Sequence, residues 1–321
     1  MKVGVFTVLF ADRSLEDTLK YVKSLGCGMV EIGTGGYPGN PHCPVDELLG
    51  SGSAAADYKK KIEDAGLEIS ALSCHGNPIH PNDAVAKEHH DAWRKTLQLA
   101  EKLGVPRVVN FSGCPGGPGG GTDPIWVTAP WPDDFEKILD WQWEEKVIPY
   151  WQEEVKAAAN HGVKQIGFEM HPNFVVYNPE TLLKLRAAAG DAIGANFDPS
   201  HLFWQGMDPI ASLRELKDCI WHVHAKDTKV CPYNAPINGT LDTKPYTDEI
   251  NRGWIFRTVG YGHDLAWWKD FVSNLRLIDY DLVLSIEHED SLMSPQEGFE
   301  KAVKLLLDAV VTEPAGEAYW A

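Results

Sequence analysis

The chain has 321 residues, 44% of them hydrophobic and 23% charged, with a formal net charge of −17. That length and apolar content exclude a disordered chain and suit an α/β barrel with insertions. So acidic a surface repels nucleic acid and anionic membranes, which are held by clustered Lys and Arg, and suits a small neutral or metal-bound ligand.

The N-terminal MKVGVFTVLFADRS carries a short apolar run and no cleavage-like site, so it is expected to be a first strand rather than a secretion signal. No apolar stretch approaches membrane-spanning length. The six cysteines include no C-x-x-C pair, which points to free thiols and a cytoplasmic protein.

Short apolar runs then alternate with amphipathic stretches. KVGVF (2–6) reads as a strand, and Ser14 to Asp17 reads as a capping box opening a helix that ends near Gly26. MVEIG (29–33) is the second strand, followed by a Gly/Pro/His-rich loop (34–44) and a helix near 54–66. LEISALS (67–73) is the third strand, with a strong helix over 83–104. RVVNF (107–111) is the fourth, and a Gly-rich loop (113–123) follows it on the face where barrel active sites lie. A long aromatic helix is expected over 134–161, kinked or broken at Pro149.

KQIGFEM (164–170) is the fifth strand, and Asn178-Pro179 opens the next helix as cap and first turn. AIGANFD (192–198), CIWHVHA (219–225) and LVLSIEHE (282–289) are the sixth, seventh and eighth strands, with helices near 208–218, 264–279 and 295–310. Residues 226–263 form a long loop insertion after strand seven. Eight strand–helix units in alternation predict one (β/α)8 TIM-barrel domain over 1–321. No G-x-G-x-x-G follows the first strand and no G-K-[ST] ends the Gly-rich loop, which argues against dinucleotide and P-loop folds.

Polar residues gather at the strand ends, the part of a barrel that converges on its mouth. Glu31 lies near the end of strand two, His75 follows strand three and Asn110 lies near the end of strand four. Glu169, Asp198, His224 and Glu287 end strands five to eight. Each alone has a bland reading as a rim or loop residue. Together they are harder to dismiss, because three carboxylates aimed at one point repel unless a cation lies between them. Three carboxylates and one imidazole suit a divalent ion: Mn²⁺ first, with Mg²⁺, Co²⁺ or Zn²⁺ as alternatives.

The stretches FEMHP (168–172), NFDPSH (196–201), HVHAKD (222–227) and SIEHED (285–290) resemble the xylose isomerase-like sugar isomerase/epimerase superfamily, along nearly the whole chain. The resemblance implies one metal held by Glu169, Asp198, His224 and Glu287. It also implies His201 and His75 turned toward substrate, and Lys226 set against a substrate oxyanion. His222 shares a strand face with His224 and is expected to line the barrel, whereas His171 is read as a loop residue. Asn110 replaces the strand-four His of the three-metal DNA-repair relatives, and Lys226-Asp227-Thr228 replaces their Asp-x-His pair, so nuclease chemistry is not expected.

The implied reaction is proton abstraction beside a sugar carbonyl through a metal-stabilised enediolate, with Glu169 and Glu287 as acid and base. Return of the proton makes an isomerase or epimerase. Loss of water or of an aglycone makes a lyase, either an inosose-type dehydratase or a 3-keto-glycoside or C-glycoside deglycosidase. Some relatives of the deglycosidase type work with a small β-sandwich subunit; a homo-oligomer is the other assembly considered. The aromatics of the insertion (Tyr233, Tyr246, Trp254, Phe256) and of loop 113–131 (Trp126, Trp131) are expected to form a lid, with Trp254 or a neighbouring aromatic reaching the barrel mouth and Trp254 the candidate for substrate contact.

Overall fold

Strands form where β-branched and aromatic residues run together, and here most of them are buried on both faces. The computed structural model describes residues 1–321 apart from Ser51, Ala315, Tyr319 and Ala321. Its strands are β1 (Lys2–Phe6), β2 (Met29–Gly33), β3 (Glu68–Ser73), β4 (Arg107–Asn110), β5 (Gln165–Glu169), β6 (Ile193–Phe197), β7 (Ile220–Ala225), β8 (Asp227–Val230), β9 (Trp254–Arg257) and β10 (Val283–Ile286). Eight of them close into a barrel in the order β1-β10-β7-β6-β5-β4-β3-β2. The neighbouring strands are parallel throughout, as in Gly4 opposite Ser285, Ser285 opposite His224 and Glu169 opposite Asn196. Every residue of β2 and β6 is buried, the continuous apolar pattern of a parallel sheet covered by helices on one side and packed on the other.

The helices begin where the sequence signals place them. Ser14, Asn178 and Ser294 each accept a hydrogen bond from the backbone N–H three residues on, and Asn178 with Thr181 completes a capping box. Helix Asp83–Leu103 stops at Gly104, whose left-handed φ of 67° suits a residue without Cβ. Trp93, Trp151 and Phe168 lock helices onto the barrel wall: Trp93 and Trp151 meet edge to face at 5.5 Å, and Trp151 meets Phe168 at 4.4 Å.

Three local expectations change. The 134–161 helix is built of Asp133–Trp141, a π-helical segment Gln142–Val147, and Ile148–Asn160. Pro149 stands in the first turn of the last piece, where a missing N–H does least harm, and the widened turn lies just before it. Short helices Val45–Gly50 and Pro199–Trp204 occupy stretches to which the sequence reading assigned no element. The insertion is not plain loop: β8 and β9 pair antiparallel, from Asp227 opposite Arg257 to Val230 opposite Trp254, and the short helix Ala235–Asn238 lies between them.

One buried carboxylate ties this hairpin to the barrel. Asp227 Oδ2 accepts from the backbone N–H of Gly260, Gly262 and His263 at 3.1, 3.0 and 2.8 Å, and its Oδ1 accepts from Thr228 N and His263 Nδ1. The start and the end of the insertion therefore meet on a single side chain. Among the described residues no helix is long and apolar enough to cross a membrane, and the cysteines are free.

Candidate metal centre at the barrel mouth

The ends of β5, β6, β7 and β10 deliver Glu169, Asp198, His224 and Glu287 to one place. One ligand atom from each lies within 4.8 Å of the others. Local sequence explains each position. Glu169 closes β5, and His224 occupies the fifth position of β7. Asp198 ends the strand and starts a helix: its Oδ1 caps Pro199–Trp204 through Ser200 N at 2.8 Å, with Pro199 fixing the first turn. Its Oδ2 is left buried with no hydrogen-bond partner, 3.4 Å from His201 Nε2 and 3.8 Å from Lys226 Nζ.

His224 shows how the site is wired. Its Nε2 lies 3.1 and 3.0 Å from the two oxygens of Glu31, which as a carboxylate can only accept, so Nε2 carries the hydrogen. Nδ1 then faces Glu287 at 3.2 Å and Glu169 at 3.4 Å. In a neutral imidazole that arrangement sets a bare nitrogen against two carboxylates, and the nearby donors are the Asn196 amide, 3.3 Å from Nδ1 and from Glu169 Oε2, and Lys226, 3.1 Å from Glu287 Oε2. A proton or a cation at the centre relieves the remaining repulsion between the carboxylates and the ring nitrogen. Burial pushes His224 toward neutrality, but Glu31, Glu287 and Glu169 outweigh it and raise its pKa well above the usual value. Burial raises Asp198 to about 6, opposed by His201 and Lys226. Burial also opposes ionisation of Glu169, yet the imidazoles of His201, His224 and His75 hold its pKa well below the ordinary carboxylate range. Glu287 is lowered too, against burial, chiefly by Lys226 and His224.

The donor set therefore fits a divalent cation, on two observations: the partnerless Asp198 oxygen and the two carboxylates facing His224 Nδ1. Two further groupings, Glu31–His222–His224 and Glu169–His171–His201, are equally tight. The first lies beneath the mouth and is already satisfied. Glu31 accepts from Ser73 Oγ at 2.5 Å and Ser285 Oγ at 2.7 Å, and His222 bonds Asn196 Oδ1 at 2.9 Å and Ser70 Oγ at 3.1 Å. That layer orients His224 from below.

Above the quartet opens a cavity of about 260 Å³, lined by Phe6, Val8, Tyr37, Phe111, Lys226 and Glu289, with His75, His171, Glu169 and Glu287 at its base. His75 and His201 both reach Glu169: each Nε2 is 3.0 Å from a carboxylate oxygen. Lys226 is buried; it meets Glu287 at 3.1 Å, pairs closely with Glu289, and lies 4.3 Å from the centre of the Phe256 ring. Tyr37 is brought over the rim by Gly36, whose φ of +70° and approach to His75 exclude a side chain: a Cβ there would lie 2.1 Å from the His75 carbonyl oxygen.

Two expectations about this rim are corrected. Trp254 does not line the cavity. It stacks flat on Trp204 at 4.6 Å and donates to Thr240 O, because alternation along β9 turns it into the hairpin's own core. Phe256, two residues on, is the ring that approaches the site, edge-on to His201 at 5.4 Å. Loop 113–131 does not cover the mouth either. Its Pro115–Gly121 stretch lines a separate outer cavity with Ile79, His80 and Trp141, while Trp131 is exposed and Trp126 packs on Tyr177.

Sequence reading understated His171 and missed Glu289, Phe6 and Tyr37. His171 lines the cavity 4.1 Å from the His201 ring, and burial together with His201 lowers its pKa to about 3. Phe6, Phe111 and His171 end or directly follow barrel strands, a signal available in the sequence. Tyr37 had no such signal. Asn110 has a structural task, accepting from Gly76 N and Phe111 N at 2.8 Å each.

Comparison with known proteins agrees with the barrel fold. The family described as "Xylose isomerase-like TIM barrel" matches residues 14–309. The uncharacterized protein YfiH of Bacillus subtilis is 41% identical over 312 residues, covering 97% of this chain and 99% of YfiH. Among solved structures, the probable 3-DHS dehydratase AsbF of Bacillus anthracis superposes with a TM-score of 0.66 at 16% identity, over 96% of this chain and 99% of that one. D-psicose 3-epimerase of Clostridium cellulolyticum H10 superposes with a TM-score of 0.61 at 13% identity, over 96% and 98%. The chain belongs to the xylose isomerase-like TIM-barrel family.

Proposed function

We propose that this protein is a divalent-metal-dependent isomerase or epimerase of a small keto-sugar, moving a proton at the carbon beside the carbonyl. The observation that carries the reading is the pair Glu169 and Glu287, brought from different strands to 3.4 and 3.2 Å from His224 Nδ1 at the base of an aromatic-walled cavity. Glu169, Asp198, His224 and Glu287 would hold the cation, which supplies polarisation of the carbonyl and acidity at its neighbouring carbon. Mn²⁺ is the first choice for an oxygen-rich set with one imidazole.

The chain's own groups divide the remaining work. Glu169 accepts from His201 Nε2 on one oxygen and from Asn196 Nδ2 on the other, with His75 Nε2 beside it at 3.0 Å, so its orientation is fixed. Glu287 is more open, with its side chain 21% exposed, and it exchanges a proton with the sugar from the mouth side. His201 donates toward Glu169 and steadies it. Phe6, Tyr37 and Phe111 offer ring faces to the C–H surface of a sugar and exclude water from the base.

The test is solvent isotope uptake. Protein loaded with Mn²⁺ is incubated in D₂O with a panel of unphosphorylated ketoses and 3-keto-sugars, and products are read by NMR. Deuterium at the carbon beside the carbonyl, lost in Glu287→Gln, supports the reading. Product formed without deuterium after long incubation refutes proton transfer, and release of water or an aglycone reassigns the protein as a lyase.

A further inference from the structure

We propose that Glu289 is a specificity-determining residue that, with Lys226, makes the mouth reject anionic ligands, so that its substrates are uncharged sugars bearing no phosphate or carboxylate. The sugar part rests on the function proposed above; the charge filter rests on geometry alone.

Among the described residues lining the cavity, Lys226 is the one Lys or Arg. A phosphate would need that ammonium, and it is already committed. It meets Glu287 at 3.1 Å, pairs closely with Glu289, and has Asp198 at 3.8 Å. Phe256 lies 4.3 Å from it, and its side chain is only 3% exposed, so it cannot swing out to greet a new anion without breaking those pairs.

The charges around the opening are unbalanced. Glu169, Asp198, Glu287 and Glu289 bring four carboxylates to the mouth, and Glu31 lies beneath them. A divalent cation and Lys226 together supply three positive charges, so the site stays negative even when loaded. Glu289 is the outermost of the four. Its side chain is 49% exposed, against 3% for Glu169, none for Asp198 and 21% for Glu287. An entering ligand therefore meets Glu289 before the metal ligands. The remaining wall is Phe6, Val8, Tyr37, Pro38 and Phe111, with His75 and His171 at the base; it suits C–H faces and offers no second Lys or Arg.

Glu289→Gln should remove that charge and release Lys226 at once, without touching the metal ligands. Asp64→Asn, on the outer helix Ala54–Asp64, removes one charge away from the barrel strands and serves as the control. Wild type and both variants are incubated with Mn²⁺, desalted and dialysed to equilibrium against labelled inorganic phosphate at neutral pH and moderate salt. Wild type and Asp64→Asn should bind phosphate only weakly. Glu289→Gln should bind it about tenfold more tightly, the size expected from deleting one half-exposed charge a few ångströms from an anion. Tight phosphate binding by the wild type, or a Glu289→Gln affinity equal to the control, overturns the proposal. The assay needs no turnover. If no sugar exchanges deuterium yet Glu289→Gln gains phosphate, the filter stands and the isomerase reading falls. If neutral sugars exchange and the variant gains nothing, the reverse holds.

Discussion

Replacing Asp198 with Asn separates the cost of the metal site from its use. The side chain keeps its shape, and its Oδ1 can still accept from Ser200 N and cap helix Pro199–Trp204. What is lost is a charge whose other oxygen is buried without a hydrogen-bond partner. Burial raises the Asp198 pKa from 3.8 to about 6, with Glu169 and Glu287 adding to the rise and His201 and Lys226 opposing it. At ~1.36 kcal/mol per unit, that rise of about two units is worth ~3 kcal/mol. The sign follows from the proton count. The folded chain holds this proton more tightly than the unfolded one, so the metal-free protein loses stability as pH rises from about 4 to about 6 and carries the whole penalty above that. In EDTA at pH 8, Asp198→Asn should therefore be more stable than wild type by ~3 kcal/mol in urea unfolding, with the gap closing toward pH 4. Excess Mn²⁺ should reverse the order, because wild type keeps the ligand that couples binding to folding. A variant less stable than wild type in EDTA at every pH, or a gap that does not change with pH, would refute the reasoning.

Two further substitutions probe the supports. Glu31→Gln should lower Mn²⁺ affinity by about 10–100-fold in calorimetric titration while leaving thermal unfolding in EDTA a single transition, because His224 loses the carboxylate that fixes its tautomer; unchanged affinity would make Glu31 a packing residue only. Asp227→Ala strips the acceptor from three backbone N–H groups, at about 1–3 kcal/mol each, and should expose residues 231–253 to limited proteolysis while the barrel's circular dichroism persists. Resistance to cleavage equal to wild type would show that the hairpin is held by other means.

The barrel was legible because its period is simple: KVGVF, MVEIG and IGANF are apolar at nearly every position, and Gly or a capping residue marks most helix ends. The quartet was legible because each member ends a strand, and a closed barrel brings strand ends together whatever the loops do. Glu31 was placed near the end of its strand but given no role. Its partner His224 is 193 residues away, a contact made by barrel closure and invisible to local pattern. Which aromatic of the insertion approaches the mouth was not legible: Trp254 or a neighbour was expected, and the alternation of β9 sends Trp254 to Trp204 and leaves Phe256 facing Lys226. The helix over 142–147 failed because a π turn and an α turn share one apolar pattern, and only the hydrogen bonds tell them apart.

The Asp227 latch gives the insertion a natural pair of splice points. Between Asp227 and the Gly260–His263 turn the chain leaves the barrel and returns to the same carboxylate, so its length and sequence can change without altering how β7 and β10 pair. Lengthening such an excursion costs little, since closure entropy grows only with the logarithm of loop size. Tyr233, Ile237 and Ile250, all exposed, lie within that exchangeable stretch, whereas Phe256 lies beside the latch and follows its geometry. A graft cut at Asp227 and Gly262 would therefore carry one relative's hairpin onto another's barrel as a cassette, exchanging with it the ring at position 256 that stands beside His201 and Lys226.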